Sequence, residues 1–142
     1  MTATGKQAFR WDAVNGMVAL NGFPDGAQQS EPRSISNSGK VVGYAFGPSV
    51  DRAVYWDATG AITNLGPSYA YGVNDFDVIA GGIATAAIWD ESGPRDLGLL
   101  SDRVTSFWGI NDFNTAVGYV AQGGSTNQLL WSESTGYVDL GI

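Results

Sequence analysis

Ala53-Val54-Tyr55-Trp56-Asp57-Ala58-Thr59-Gly60-Ala61-Ile62-Thr63-Asn64-Leu65-Gly66 decides how this chain folds. An apolar run ends in tryptophan, a polar turn closes on glycine, and a second run stops at Leu-Gly. That is the pattern of strand, turn, strand. The same phrase recurs around Trp11, Trp89 and Trp131, with Asp12, Asp90 and Ser132 following the tryptophans. Leu20-Asn21-Gly22, Leu97-Gly98 and Leu140-Gly141 close the copies. The tryptophan hairpins therefore cover 8–22, 53–66, 86–98 and 128–141. A phrase repeated at this spacing implies a fold built by stacking copies of one unit.

A second phrase alternates with the first. It runs from Ile35 to Gly43, from Val73 to Gly81 and from Ile110 to Gly118. Each copy opens on an apolar residue and closes on glycine. The fifth position holds Gly39, Asp77 or Asn114, the residue types that tolerate the left-handed backbone of a tight hairpin. These Asn-Asp hairpins are expected at 35–44, 73–82 and 110–119. Two hairpins, or four strands, in about 40 residues is the size of one propeller blade. No stretch shows a sustained 3.6-residue apolar period, so no helix is expected. The reading is a single all-β domain over 1–142, a propeller-like repeat of four-stranded blades. Another antiparallel β repeat, a prism or a barrel, is the alternative. Segments 23–34, 45–52 and 119–127 are rich in Gly, Pro, Ser and Gln and read as connections.

Seven hairpins make about three and a half repeats. An unclosed stack leaves bare strand edges; the chain is a piece of a longer propeller, closes differently as a barrel or prism, or, the favoured reading, is a homo-oligomer completed by strand addition or swapping. Both termini carry the same tryptophan hairpin, so head-to-tail joining sets like against like, and a simple two-fold dimer is not the obvious arrangement.

Composition narrows the function. The chain has 142 residues, a net charge of −7, and neither Cys nor His. An acidic surface does not suit phosphate backbones or anionic membranes as partners. Disulfide, thiolate and histidine chemistry are absent. Residues 1–10 lack the apolar core of an export signal.

The alternation of Ala-x-x-Trp-Asp…Leu-Gly with Ile-Asn-Asp-x-Gly/Asn-x-x-Val-Gly resembles the HAF-repeat family of bacterial repeat proteins. The likeness spans nearly the whole chain, although Gln7-Ala8-Phe9 stands where that family has His-Ala-Phe. The resemblance implies a propeller-like fold and an extracellular or cell-surface origin. It brings no catalytic residues.

Four groups are candidates for function. Trp11, Trp56, Trp89 and Trp131 sit at one repeat position and read as packing residues rather than sugar platforms. Asn74, Asp75 and Asp77, with Asn111, Asp112 and Asn114, alternate oxygen ligands as calcium loops do. The spacing is short, however, and no bidentate Glu follows. Turn structure is the simpler reading, and no metal or cofactor is expected. Asp25, Glu31, Asp51, Asp75, Asp77, Asp102 and Asp112 lie in loops or turns, but nothing singles out a catalytic pair. Serines 30, 34 and 36 show no base partner in the sequence.

The fourth group lies two residues before each opening Ile or Val of the second phrase. There the copies disagree: Arg33, Tyr71, Trp108. Repeat folds keep the frame and vary one face, often the binding face. Glu31, Tyr69, Phe107 and Arg103 lie close by in sequence. Such a rim suits a glycan or a protein partner. The expected function is a non-enzymatic binding or scaffolding module that self-associates through its incomplete repeat. A propeller-type lectin and a carboxylate-based glycosidase are the alternatives.

Overall fold

A computed structural model describes residues 6–22, 29–46, 51–100 and 103–141. Asp25 and Asp102 lie outside these, so they have no place in the structural account. The described residues form fourteen strands and no helix. A two-stranded first sheet pairs β1 (Phe9–Asp12) with β2 (Gly16–Ala19). The second sheet runs in order β3 (Gln29–Ile35), β4 (Val41–Phe46), β5 (Arg52–Trp56), β6 (Ile62–Gly66). The third is β7 (Ala70–Val73), β8 (Ile79–Gly82), β9 (Ala86–Asp90), β10 (Gly93–Asp96). The fourth is β11 (Val104–Ile110), β12 (Ala116–Gln122), β13 (Ser125–Ser132), β14 (Gly136–Gly141). All pairs are antiparallel. Each complete sheet is one Asn-Asp hairpin followed by one tryptophan hairpin, so three repeats are whole. The half-repeat is the first sheet, where β1 pairs only with β2 among the described residues.

Two sequence readings of connections need correction. Residues 29–34 belong to β3, and 119–127 form the hairpin between β12 and β13. Gln-Ser-Glu-Pro has no apolar alternation because β3 is an edge strand with little to bury. Its Pro32 is tolerated there because an edge strand leaves some N–H groups unpaired. Gly123 and Gly124 both take positive φ, as a two-residue hairpin turn demands.

The turn positions behave as their residue types require. Gly39, Asp77 and Asn114 have φ of 86°, 62° and 55°. In each turn the N–H of that residue donates to the carbonyl three residues earlier, Ser36, Asn74 or Asn111, at 3.0–3.1 Å.

Sheets stack in chain order through three apolar cores. Ala8 and Leu20 of the first sheet meet Val41, Ala45, Val54 and Trp56 of the second. Val42 and Ala53, with Tyr55 and Leu65, meet Ala70, Val73, Ile79 and Trp89 of the third. Ala80, Ala86 and Ile88, with Leu97, meet Phe107, Ala116, Val120, Leu129 and Trp131 of the fourth. Trp56, Trp89 and Trp131 are thus pegs between sheets, and Trp56 is 0% exposed. Two are tied by hydrogen bonds to the sheet before. Trp56 Nε1 donates to Asn21 O at 2.8 Å, and Trp89 Nε1 to Leu65 O at 3.1 Å.

Candidate functional site

The position where the repeats disagree has one structural identity. In β3 the register shifts between Pro32 and Ser34, in β7 between Ala70 and Gly72, in β11 between Phe107 and Gly109. Arg33, Tyr71 and Trp108 are therefore the extra residue of a β-bulge, repeated on the first strand of three sheets. A bulge bends the strand and re-aims one side chain away from the regular alternation. Freed from the packing rules of the strand, the side chain can vary while the frame stays fixed.

The frame shows why each copy of the second phrase closes on glycine. Gly43, Gly81 and Gly118 pair with Pro32, Ala70 and Phe107, the residues just before the bulges. A methyl group on any of them would overlap a carbonyl oxygen of the bulged strand: Glu31, Tyr69 or Ser106. Only glycine lets the bent strand come that close.

The bulged residues gather others. Arg33 lies over the Tyr44 ring, 4.9 Å to its centroid, and its guanidinium meets Glu31 Oε2 at 2.9 Å. It also donates to the Tyr44 hydroxyl, which in turn donates to Glu31 at 2.9 Å. Lys6 adds an ion pair to Glu31 at 3.3 Å. The hydrogen bond from Tyr44, then those charges, hold the Glu31 carboxyl below its usual range. Tyr44 continues into Tyr69 (4.6 Å between centroids), Phe46 (5.3 Å) and Tyr71 (6.2 Å). Tyr69 donates to Asp51 Oδ2 at 2.6 Å, which pushes its phenol up to about 12. Burial raises the Tyr71 phenol, with its neighbours Tyr44 and Tyr119 adding to the effect. Tyr119 packs on Trp108, centroids 5.2 Å apart. An interrupted aromatic strip thus crosses three sheets: Arg33 with Tyr44, Tyr69 and Tyr71 forms one group, and Trp108 with Tyr119 a second. Trp108 is 58% exposed at its end.

Two neighbours expected from the sequence do not join the strip. Phe107 is fully buried in the core with Trp131 and Tyr137. It precedes the bulge, where the regular alternation still turns it inward. Arg103 pairs instead with Asp139 of β14 at 3.4 Å. Tyr44, Tyr119 and Asp51 are the members sequence reasoning missed. A signal was there for the tyrosines: each directly follows a closing glycine, Gly43 or Gly118.

The acidic turns act as staples between sheets. Asn37 N donates to Asp75 Oδ1 at 2.8 Å, and its side-chain amide donates to the other oxygen. Asp75 N donates to Asp112 Oδ1 at 2.9 Å. Buried Asn74 donates to Asn111 O at 2.9 Å and to Asn114 Oδ1 at 2.7 Å. Asp77 accepts from Ser36 and Ser38 and pairs with Lys40 at 3.2 Å. Among the described residues no three His, Cys, Asp or Glu side chains are grouped to hold a metal. The tryptophan position also divides. Trp56, Trp89 and Trp131 are buried, whereas Trp11 is 66% exposed.

The chain matches no family model, no curated protein and no solved structure.

Proposed function

We propose that this chain is a non-enzymatic β-repeat binding module whose ligand, a glycan, lies along the strip of bulged side chains. The observation that supports this reading is the coincidence of variation and bulge: Arg33, Tyr71 and Trp108 are the residues re-aimed on three sheets. The chemistry of the strip suits sugars. Flat aromatic faces pack against the C–H faces of pyranose rings. Arg33, Glu31 and Asp51 offer charged donors and acceptors for hydroxyl groups, and hydrogen bonds to charged groups are the stronger ones. Few polar groups set among aromatics is the usual make-up of a small-ligand site. The carboxylates of Glu31, Asp51, Asp75 and Asp77 are held by hydrogen bonds and ion pairs, which favours binding over acid–base work. The sheets would be blades of a propeller, and the likeness of the two phrases to HAF repeats belongs to the same proposal, as does a cell-surface or extracellular setting.

The test is a glycan array followed by titration of the best sugar against tryptophan fluorescence. Trp108→Ala is expected to lose binding and the fluorescence change while keeping its melting temperature, because the side chain is mostly exposed. Arg33→Ala is expected to weaken the same sugar. An array without hits, or binding untouched by both substitutions, would overturn the reading.

A further inference from the structure

Each sheet has two unlike faces, and the tryptophan phrase tells them apart. The second and fourth residues of the phrase turn back to the preceding sheet: Val54 and Trp56, Ala87 and Trp89, Leu129 and Trp131. The third residue and the leucine that closes the phrase turn to the following sheet: Tyr55 and Leu65, Ile88 and Leu97. Every junction inside the chain therefore sets a tryptophan face against a leucine face.

At the two ends of the stack each kind of face is left over once. Among the described residues no sheet covers the tryptophan face of the first sheet, which presents Phe9, Trp11 and Met17 to solvent. None covers the leucine face of the fourth, which presents Val117, Leu130, Val138 and Leu140. The contrast at equivalent positions is sharp. Leu20 is 1% exposed and Leu140 is 57%; Trp56 is 0% and Trp11 is 66%. Apolar side chains gathered on an open face mark an interaction surface. The junctions inside the chain show what shape of surface covers each.

We infer that a second copy of this chain docks head to tail, its tryptophan face on the leucine face of the first. Residue correspondence with the junction of the second and third sheets gives the contacts. Trp89 there packs with Val42, Ala53, Tyr55 and Leu65. Their counterparts in the fourth sheet are Val117, Gln128, Leu130 and Leu140. Trp11 fills that notch, and its indole N–H reaches the Leu140 carbonyl as Trp89 reaches Leu65 O. The expectation that head-to-tail joining sets like against like gives way here, because the two terminal hairpins present opposite faces.

Such heterologous contacts close into a ring or run on as a filament. One chain holds four sheets, so two copies provide eight blade positions and three would provide twelve. Closed propellers have typically four to eight; one chain does not close on itself, since its Trp11 and Leu140 stay exposed, so the ring closes at two. Each half-sheet brings only the outer pair of strands. It covers β13, β14 and Val117 of β12 and leaves β11 open, so Trp108 stays accessible, while Tyr119, opposite Gln128, borders the junction.

Sedimentation equilibrium of the whole chain tests this, with Trp11→Arg and Leu140→Arg as variants. The wild type is expected to be a dimer. Each variant is expected to weaken dimerisation at least about 100-fold, the scale of losing a central aromatic or apolar anchor. Both sites are exposed, so both variants keep the wild-type circular dichroism; Trp11→Ala gives the same answer if Trp11→Arg misfolds. Mixing the two variants is decisive. One intact junction remains possible, between Trp11 of one and Leu140 of the other, so mixed dimers form where neither variant dimerises alone. A wild type that stays monomeric, a Leu140→Arg variant that still dimerises, or a mixture that stays monomeric overturns the proposal.

Discussion

Four tryptophans share one phrase and have different fates, because burial depends on whether a sheet precedes them. Trp56 and Trp89 find both a leucine face and a carbonyl acceptor, while Trp11 finds neither among the described residues. No property of the residue distinguishes them; position in the stack does. Tyr69 shows the opposite case, where local chemistry dominates. Its hydroxyl donates to Asp51, and a second negative charge beside that carboxylate is costly. The phenol moves from its ordinary 10.0 to about 12. A folded-state value above the unfolded one means stability that is complete below pH 10 and is lost as pH rises through 12. Chemical-denaturation midpoints measured between these pH values are expected to fall for the wild type. In Tyr69→Phe the fall is expected to be shallower, since the phenol that must ionise is gone. Equal slopes would mean that Asp51 does not hold the hydroxyl in solution.

At the scale of the element, the bulge explains what the sequence phrases encode. The closing glycines were legible as punctuation, and the fifth-position Gly39, Asp77 and Asn114 as left-handed residues, because turn geometry is local. The bulges were legible only as a position where repeats disagree, since a register shift is a property of two paired strands. Glycine opposite the bulge is the physical link between these two signals. Gly81→Ala is expected to destabilise the chain by at least about 3 kcal/mol, the upper end of overpacking, because the methyl meets the Tyr69 backbone rather than a side chain that can move. Gly22→Ala, where nothing lies within 4 Å, is expected to be near neutral. Thermal melts of the two variants check this. Similar melting temperatures would show that β7 relaxes away from β8 at little cost. The strip itself was only half legible. Arg33, Tyr71 and Trp108 announce themselves by varying, whereas Tyr44 and Tyr119 sit on the neighbouring strand and join through antiparallel pairing. Asp51 comes from outside both phrases.

At the scale of the whole molecule, the repeat count follows from the sequence, but the two ends look alike in it. Both are tryptophan hairpins, and only the stacking order shows that one exposes its tryptophan face and the other its leucine face. That distinction makes the response to salt informative. Each chain carries −7, so two copies approach against a net repulsion while the docking faces themselves are apolar. Screening shortens from about 30 Å at 0.01 M to about 8 Å at 0.15 M salt. It removes the repulsion and leaves the apolar contact. The dimer is therefore expected to tighten several-fold over that range in sedimentation equilibrium. It should also tighten as pH falls toward the isoelectric point near 4.2. A filament or a dimer held by ion pairs between Arg and Asp side chains would behave oppositely, loosening as salt rises, because the attraction itself would be screened. Weakening with salt would thus place the contact away from Trp11 and Leu140, even if the mass were that of two chains.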